Sequence, residues 1–201
     1  MVDPVPESWT PELSEIRTAR LEAFSDGVLA IIVTIMVLEI RPPEEPTWAG
    51  LRPLIPILLA YVLSFVFIGI YWNNHHHLLR ATIRIDGTVM WANLHLLFWL
   101  SLIPVGTAWI GKAHTHPLPA ALWGVIALMA GVAYTILVLS IRAIDDNAGI
   151  AVAIGGDVKG KVSILMYAVG SALAFVDPWF AYAAFALVSV MWFIPDRRLA
   201  C

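Results

Sequence analysis

The sequence predicts an all-α integral membrane protein with six transmembrane helices. Three observations carry that expectation. Of its 201 residues, 60% are hydrophobic and only 13% are charged, whereas a soluble domain needs roughly a quarter of its residues ionised. The mean hydropathy is +0.80. The apolar residues also fall in runs close to the roughly 20 residues that a helix needs to cross a bilayer, separated by polar connections. The net charge of −3 is too small to suggest a nucleic-acid partner, and the single cysteine, Cys201, excludes an intrachain disulfide.

Taken in order, residues 1–17 are a polar, acidic lead with Asp3, Glu7, Glu12 and Glu15, unlike a cleavable signal peptide. Residues 18–201 are expected to form one transmembrane domain. Its first helix should start between Arg17 and Arg20 and end near Glu39, ahead of Pro42 and Pro43. From Ala23 to Ile40 it would span about 27 Å, close to the hydrocarbon core of a bilayer. A proline-rich linker reaches Arg52. The second span, Leu54 to Trp72, has no charge and carries Pro56 in its first turn, where a missing N–H is harmless. Asn73 to His77 and a basic patch with Arg80 and Arg84 follow. The third span, Gly87 to Gly111, contains Asn93, His95 and Pro104. The fourth, Leu118 to Ile141, offers Gly124, Ala127 and Gly131 for close helix packing. After a polar connection with Asp145, Asp146, Gly155 and Gly156, the run from Val162 to Ile194 is too long for one span. Asp177-Pro178 breaks it into a hairpin of two short helices.

Orientation follows from the cationic side chains. Arg41, Arg52 and Lys112 fall on one side and the other nine of the 12 Lys and Arg residues on the other. That bias puts both termini in the cytoplasm of a multi-pass cell-membrane protein.

Ionisable groups at the mouth of a membrane helix need partners or water. Arg20, Glu22, Ser25 and Asp26 head the first helix, and two readings fit them. They cap the helix among lipid headgroups, where Asp and Ser suit an N-terminus. Alternatively, they knit the helix to its neighbours and hold it against an axis. In that case the row Gly27, Ile31, Thr34 and Leu38, spaced 4, 3 and 4, forms the face turned to the axis. Thr34 taken alone says little, because a threonine in a helix commonly bonds back to a carbonyl one turn earlier.

The histidines are open to three readings: a cross-helix polar network with Asn93, Ser25 and Asp26, simple interfacial side chains, or metal ligands. Consecutive residues of a helix point about 100° apart, so His75, His76 and His77 cannot all bind one ion. No carboxylate stands close to them in sequence, and no His-Glu-x-x-His motif is present. We therefore expect no metal, and the network is the reading carried forward, with His95 a further candidate. Asp145, Asp146 and Asp157 lack calcium-loop spacing.

The pattern Arg20-x-x-x-Phe24-Ser25-Asp26 resembles the signature of the transmembrane protein 175 family, potassium-permeable channels of endolysosomes and prokaryotic membranes. The Trp72 to His76 segment and Trp91-Ala92-Asn93 extend the resemblance, and six helices suit a single-repeat prokaryotic member. The resemblance implies a homotetramer in which the first helix of each chain lines a central pore. It places an aliphatic constriction at Ile31, a hydroxyl ring at Thr34 and a further apolar layer at Leu38, with K⁺ as the permeant ion and no cofactor. Ala30 stands where some relatives carry a second hydroxyl. A Thr-Val-Gly-Tyr-Gly filter loop is absent, so backbone-carbonyl selectivity is not expected. Glu39 reads equally well as a cation-attracting group at the outer mouth and as a solvated loop residue. The competing readings are a small transporter or accessory subunit, and a membrane enzyme with a His/Asp site at the cytoplasmic face. No convergent nucleophile, base and orienting group supports the enzyme.

Overall fold

Prolines and short polar caps set the helix boundaries. The computed structural model describes residues 11–144, 147 and 158–193, and every regular element among them is helical. Helix α1 is Pro11–Val37, and a short α2 (Trp48–Leu51) leads through a 3₁₀ turn (Arg52–Leu54) into α3 (Ile55–Arg80). Then come α4 (Gly87–Ser101), α5 (Ile103–Ala113), α6 (Pro117–Arg142), α7 (Val158–Leu173) and α8 (Pro178–Phe193). Proline stands in the first turn of α3, α5 and α6 and opens α1 and α8, positions where the lost N–H has no helical partner anyway. Thr47 caps α2 by accepting from Gly50 N, and Asp86 caps α4 by accepting from Val89 N at 2.9 Å.

Among the described residues, three stretches are long and apolar enough to cross a membrane: Trp48–Arg80, Gly87–Ala113 and Pro117–Arg142; Pro178–Phe193 is a shorter apolar helix. Several expected boundaries move. Helix α1 starts at Pro11 rather than near Arg17, so part of the acidic lead is helical. It ends at Val37, and Leu38, Glu39 and Ile40 wind down through bonds to the residues three before them. Helix α3 continues eight residues past Trp72, which puts His75, His76 and His77 on the helix instead of in a connection. The third span is broken at Leu102, between α4 and α5. Pro104 is the cause: it has no N–H to give and crowds the carbonyl four residues back. The Asp177 turn is as expected, with its carboxylate accepting from Trp179 N at 2.9 Å. Of the connection before α7, Asp145, Asp146, Gly155, Gly156 and Asp157 lie outside the described residues.

Helix α6 is the hub, packed against α4, α5, α7 and α8. Its small residues make this possible. Gly124 faces Ser171 and the Phe185 ring, Gly131 faces Ile164, and Ala127 is fully buried. Apolar solvent gives helices little reason to hide apolar surface, so association rests on such close contact and on interhelical hydrogen bonds. Phe98, Leu139 and Leu165 accordingly stay more than half exposed. An aromatic cluster of Phe67, Trp123, Tyr167 and Phe185 fills the space between α3, α6, α7 and α8, with Trp123 centred 5.2 Å from Phe67 and 5.0 Å from Phe185. One buried polar tie crosses it: Ser64 Oγ and Thr107 Oγ1 stand 2.7 Å apart and Trp123 Nε1 donates to Ser64 Oγ at 3.0 Å. Asn147 closes the connection between α3 and α4. Its Oδ1 accepts from the backbone N–H groups of Ile83 and Arg84, and its Nδ2 donates to the carbonyls of Arg84 and Ile141.

Candidate functional site

Helix α1 packs against α3, α4 and α5 with one stripe only. Leu21, Ser25, Leu29, Ile32 and Met36, spaced by three and four, are buried. The opposite stripe is bare. Gly27, Ile31, Thr34 and Leu38 are all exposed on the isolated chain, Ile31 at 58% and Leu38 at 75%, and a Cβ added to Gly27 would meet nothing within 4 Å. Leu38 lies one residue past the helix, in its terminal turn. Phe24 and Arg20 are exposed as well. Thr34 Oγ1 donates back to the carbonyls of Ala30 and Ile31, both at 3.0 Å, which spends its proton and leaves the oxygen lone pairs outward.

Near the first turns of this stripe, a buried hydrogen-bond chain ties α1 to α4 and α3. Ser25 Oγ donates to Leu21 O at 2.8 Å and accepts from Asn93 Nδ2 at 2.9 Å, and Asn93 Oδ1 is 2.7 Å from His75 Nε2. The chain sets its own polarity. Because the Ser25 proton is used on Leu21 O, Asn93 must present its amide N–H to serine and its oxygen to the histidine. His75 Nε2 is then the donor. Ser25 and Asn93 are 0% exposed and His75 1%, so these bonds stand in for the water their polar atoms have lost. His75 Nδ1 is buried with no hydrogen-bond partner.

The expected network thus divides. Asp26 is not part of the Ser25–Asn93–His75 chain; it accepts from Trp72 Nε1 at 3.1 Å. His76 turns to Glu22, with Nδ1 2.6 Å from Oε1. This corrects the expectation that no carboxylate stands near the histidines: Glu22 and Asp26 are distant in sequence, but the packing of α1 on α3 brings them there. His77 is exposed. The three histidines therefore take three directions, as their helical phase requires. His95 stands apart on α4, where its Nε2 accepts from Trp99 Nε1 at 2.9 Å. At the other end of α1, Lys112 Nζ lies 3.9 Å from Glu39 Oε2, both in solvent, so the charge of Glu39 is partly offset. Sequence reasoning missed the Glu22–His76 pair and the Ser64–Thr107–Trp123 tie. The i, i+4 spacing of Glu22 and Asp26 was the one available signal for the first; the second had none.

Comparison with known proteins decides what this arrangement belongs to. The family model described as "Endosomal/lysosomal potassium channel TMEM175" matches residues 20–104, a range that opens on Arg20 and includes Ser25, Asp26, the Gly27 to Leu38 row, His75, His76 and Asn93. A potassium channel of Chryseobacterium sp. (strain P1-3) is 50% identical over 181 residues, 90% of this chain and 94% of the relative.

The chain belongs to the TMEM175 family.

A potassium channel of Streptomyces collinus is 38% identical over 100 residues, 48% of each chain. Among solved structures, the crystal structure of a lysosomal potassium-selective channel TMEM175 homolog from Chamaesiphon minutus superposes with a TM-score of 0.76 at 26% identity, covering 89% of this chain and 97% of that one. Membership makes this an integral membrane protein, in keeping with its three long apolar helices. The TMEM175 relatives are channels rather than enzymes, which sets aside the reading of a His/Asp catalytic site at the cytoplasmic face.

Proposed function

We propose that this chain is a potassium-permeable cation channel, a homotetramer of six-span subunits with α1 lining the pore and both termini in the cytoplasm of the cell membrane. The single observation that carries the reading is the bare stripe of α1. A membrane helix anchored through a fully buried polar chain, yet left uncovered along Gly27, Ile31, Thr34 and Leu38, has a face reserved for something outside the subunit. The relatives named potassium channel supply what that is.

On this reading the subunit holds α1 rigidly while four copies meet at the axis. Four Ile31 side chains make an apolar constriction that excludes water when narrow, and Leu38 adds a second layer. Thr34 supplies four hydroxyl oxygens whose protons are directed at Ala30 O and Ile31 O, so each offers a lone pair to a cation. Such a ring replaces part of a hydration shell and favours the weakly hydrated K⁺ over Na⁺. Four neutral oxygens are a weak field, and the discrimination is correspondingly modest. The test is ion flux in liposomes under a K⁺ gradient, with Na⁺ as comparison, for the wild type and Ile31→Ala. K⁺ flux above Na⁺ flux, increased by Ile31→Ala, is the expected result. Absence of flux in both, with correct insertion verified, overturns the channel reading.

A further inference from the structure

We propose that Glu22, Asp26 and His76 form a binding site for a first-row transition-metal cation such as Zn²⁺, joining α1 to α3. Glu22 and Asp26 lie one turn apart on α1, and His76 reaches them from α3. One ligand-type atom of each residue lies within 4.8 Å of the other two. Tetrahedral Zn²⁺ holds nitrogen and oxygen ligands at about 2.0–2.2 Å, so its ligand atoms stand about 3.3 Å apart. The observed set brackets that spacing, from the 2.6 Å between His76 Nδ1 and Glu22 Oε1 upward. Small side-chain shifts close it.

A second observation points to a ligand rather than to an ordinary ion pair. His76 Nδ1 is itself buried yet makes no hydrogen bond. Glu22 Oε1 stands 2.6 Å from it without forming a hydrogen bond. A buried ring nitrogen and a carboxylate oxygen this close without a hydrogen bond is an arrangement that a bound cation resolves. The surroundings suit a held ligand. Trp72 Nε1 donates to Asp26 Oδ1 at 3.1 Å, and the Trp72 ring stacks on His76 with centroids 5.9 Å apart, fixing both donors from outside. Glu22 and His76 side chains keep 20% and 26% exposure, leaving an entry route. One imidazole and two carboxylates are too few and too soft a set for Ca²⁺, which takes 6–8 oxygen ligands. One ground for expecting no metal was the lack of carboxylates near the histidines, and folding supplies them.

The test is calorimetric titration of the purified full chain in detergent with Zn²⁺, beside Ca²⁺ and Mg²⁺. The expected result is about one Zn²⁺ per chain, little heat from the other two ions, and affinity weakened about tenfold or more in both His76→Ala and Glu22→Gln. Zn²⁺ should also raise the melting temperature of the wild type and leave that of Glu22→Gln unchanged. Glu22→Gln keeps the side-chain shape, and an unaltered metal-free melting temperature confirms that it folds. Undiminished binding in both variants, or loss on His77→Ala instead, overturns the site. No flux enters this measurement, so its failure leaves the channel reading standing and the reverse holds too.

Discussion

Removing Asn93 should uncouple α1 from the buried polar chain that ties it to α4 and α3. Its amide donates to Ser25 Oγ at 2.9 Å and its oxygen is 2.7 Å from the His75 Nε2 donor, with Ser25 and Asn93 at 0% exposure and His75 at 1%. Interhelical hydrogen bonds in membrane proteins average about 0.6 kcal/mol, with a maximum near 1.7. Buried groups left unpaired push a bond toward the upper value. Asn93→Ala breaks two bonds and should cost about 1–3 kcal/mol, whereas Ser25→Ala breaks one of the same two and should cost about 0.6–1.7 kcal/mol. The double variant loses the Ser25–Asn93 bond only once. It should therefore fall short of the sum of the singles by about the value of that bond. The assay is unfolding of the detergent-solubilised protein by increasing SDS, followed by helicity, for the four proteins of the cycle. Additivity within about 0.5 kcal/mol, or Asn93→Ala no more damaging than Ser25→Ala, would refute the chain as the element that anchors α1.

Three further outcomes are expected. Thr34→Val keeps the side-chain shape and removes the hydroxyl, whose bonds run only to its own helix; the K⁺ over Na⁺ flux ratio should fall toward unity while stability changes by less than about 0.5 kcal/mol. Gly124→Ala places a methyl against Ser171 Oγ and the Phe185 ring, and since Ser171 is tied to Tyr167 O, the resulting overpacking should cost about 1–3 kcal/mol in the same unfolding assay. Asn147→Ala removes the Oδ1 acceptor of the Ile83 and Arg84 N–H groups, and amide exchange of those two residues should speed up well ahead of the flanking helices.

The helices themselves were legible because apolar runs and prolines are local signals. Pro56 and Pro178 mark starts that the structure keeps, and Gly124, Ala127 and Gly131 sit at close or buried contacts as expected. Boundaries went astray where the local signal was mixed. Residues 11–16 are helical although their composition is that of a loop, and the polar Asn73 to His77 stretch extends α3, with His75 and His76 finding partners on other elements. Pro104 was visible, but whether a proline kinks a membrane helix or splits it depends on its neighbours. Among the site residues, the helical phase of the Gly27 to Leu38 row was already determined by spacing, and the structure leaves that row exposed. The pairing of Ser25 with Asn93 was anticipated, whereas the separate destinations of Asp26, His76 and His95 were not.

By itself, the sequence determined that this chain lives in lipid, where its long apolar helices run, and which stripe of the first helix is set apart. Those properties depend on hydropathy and on a 3.6-residue period, and both are read within one segment. Only the tertiary structure decided which polar groups meet. Ser25 and Asn93 are 68 residues apart, Asp26 and Trp72 46 apart, and Asn147 caps backbone groups 64 and 63 residues away. A buried donor takes the acceptor that helix packing brings within about 3 Å, and nothing in its own segment encodes which acceptor that is.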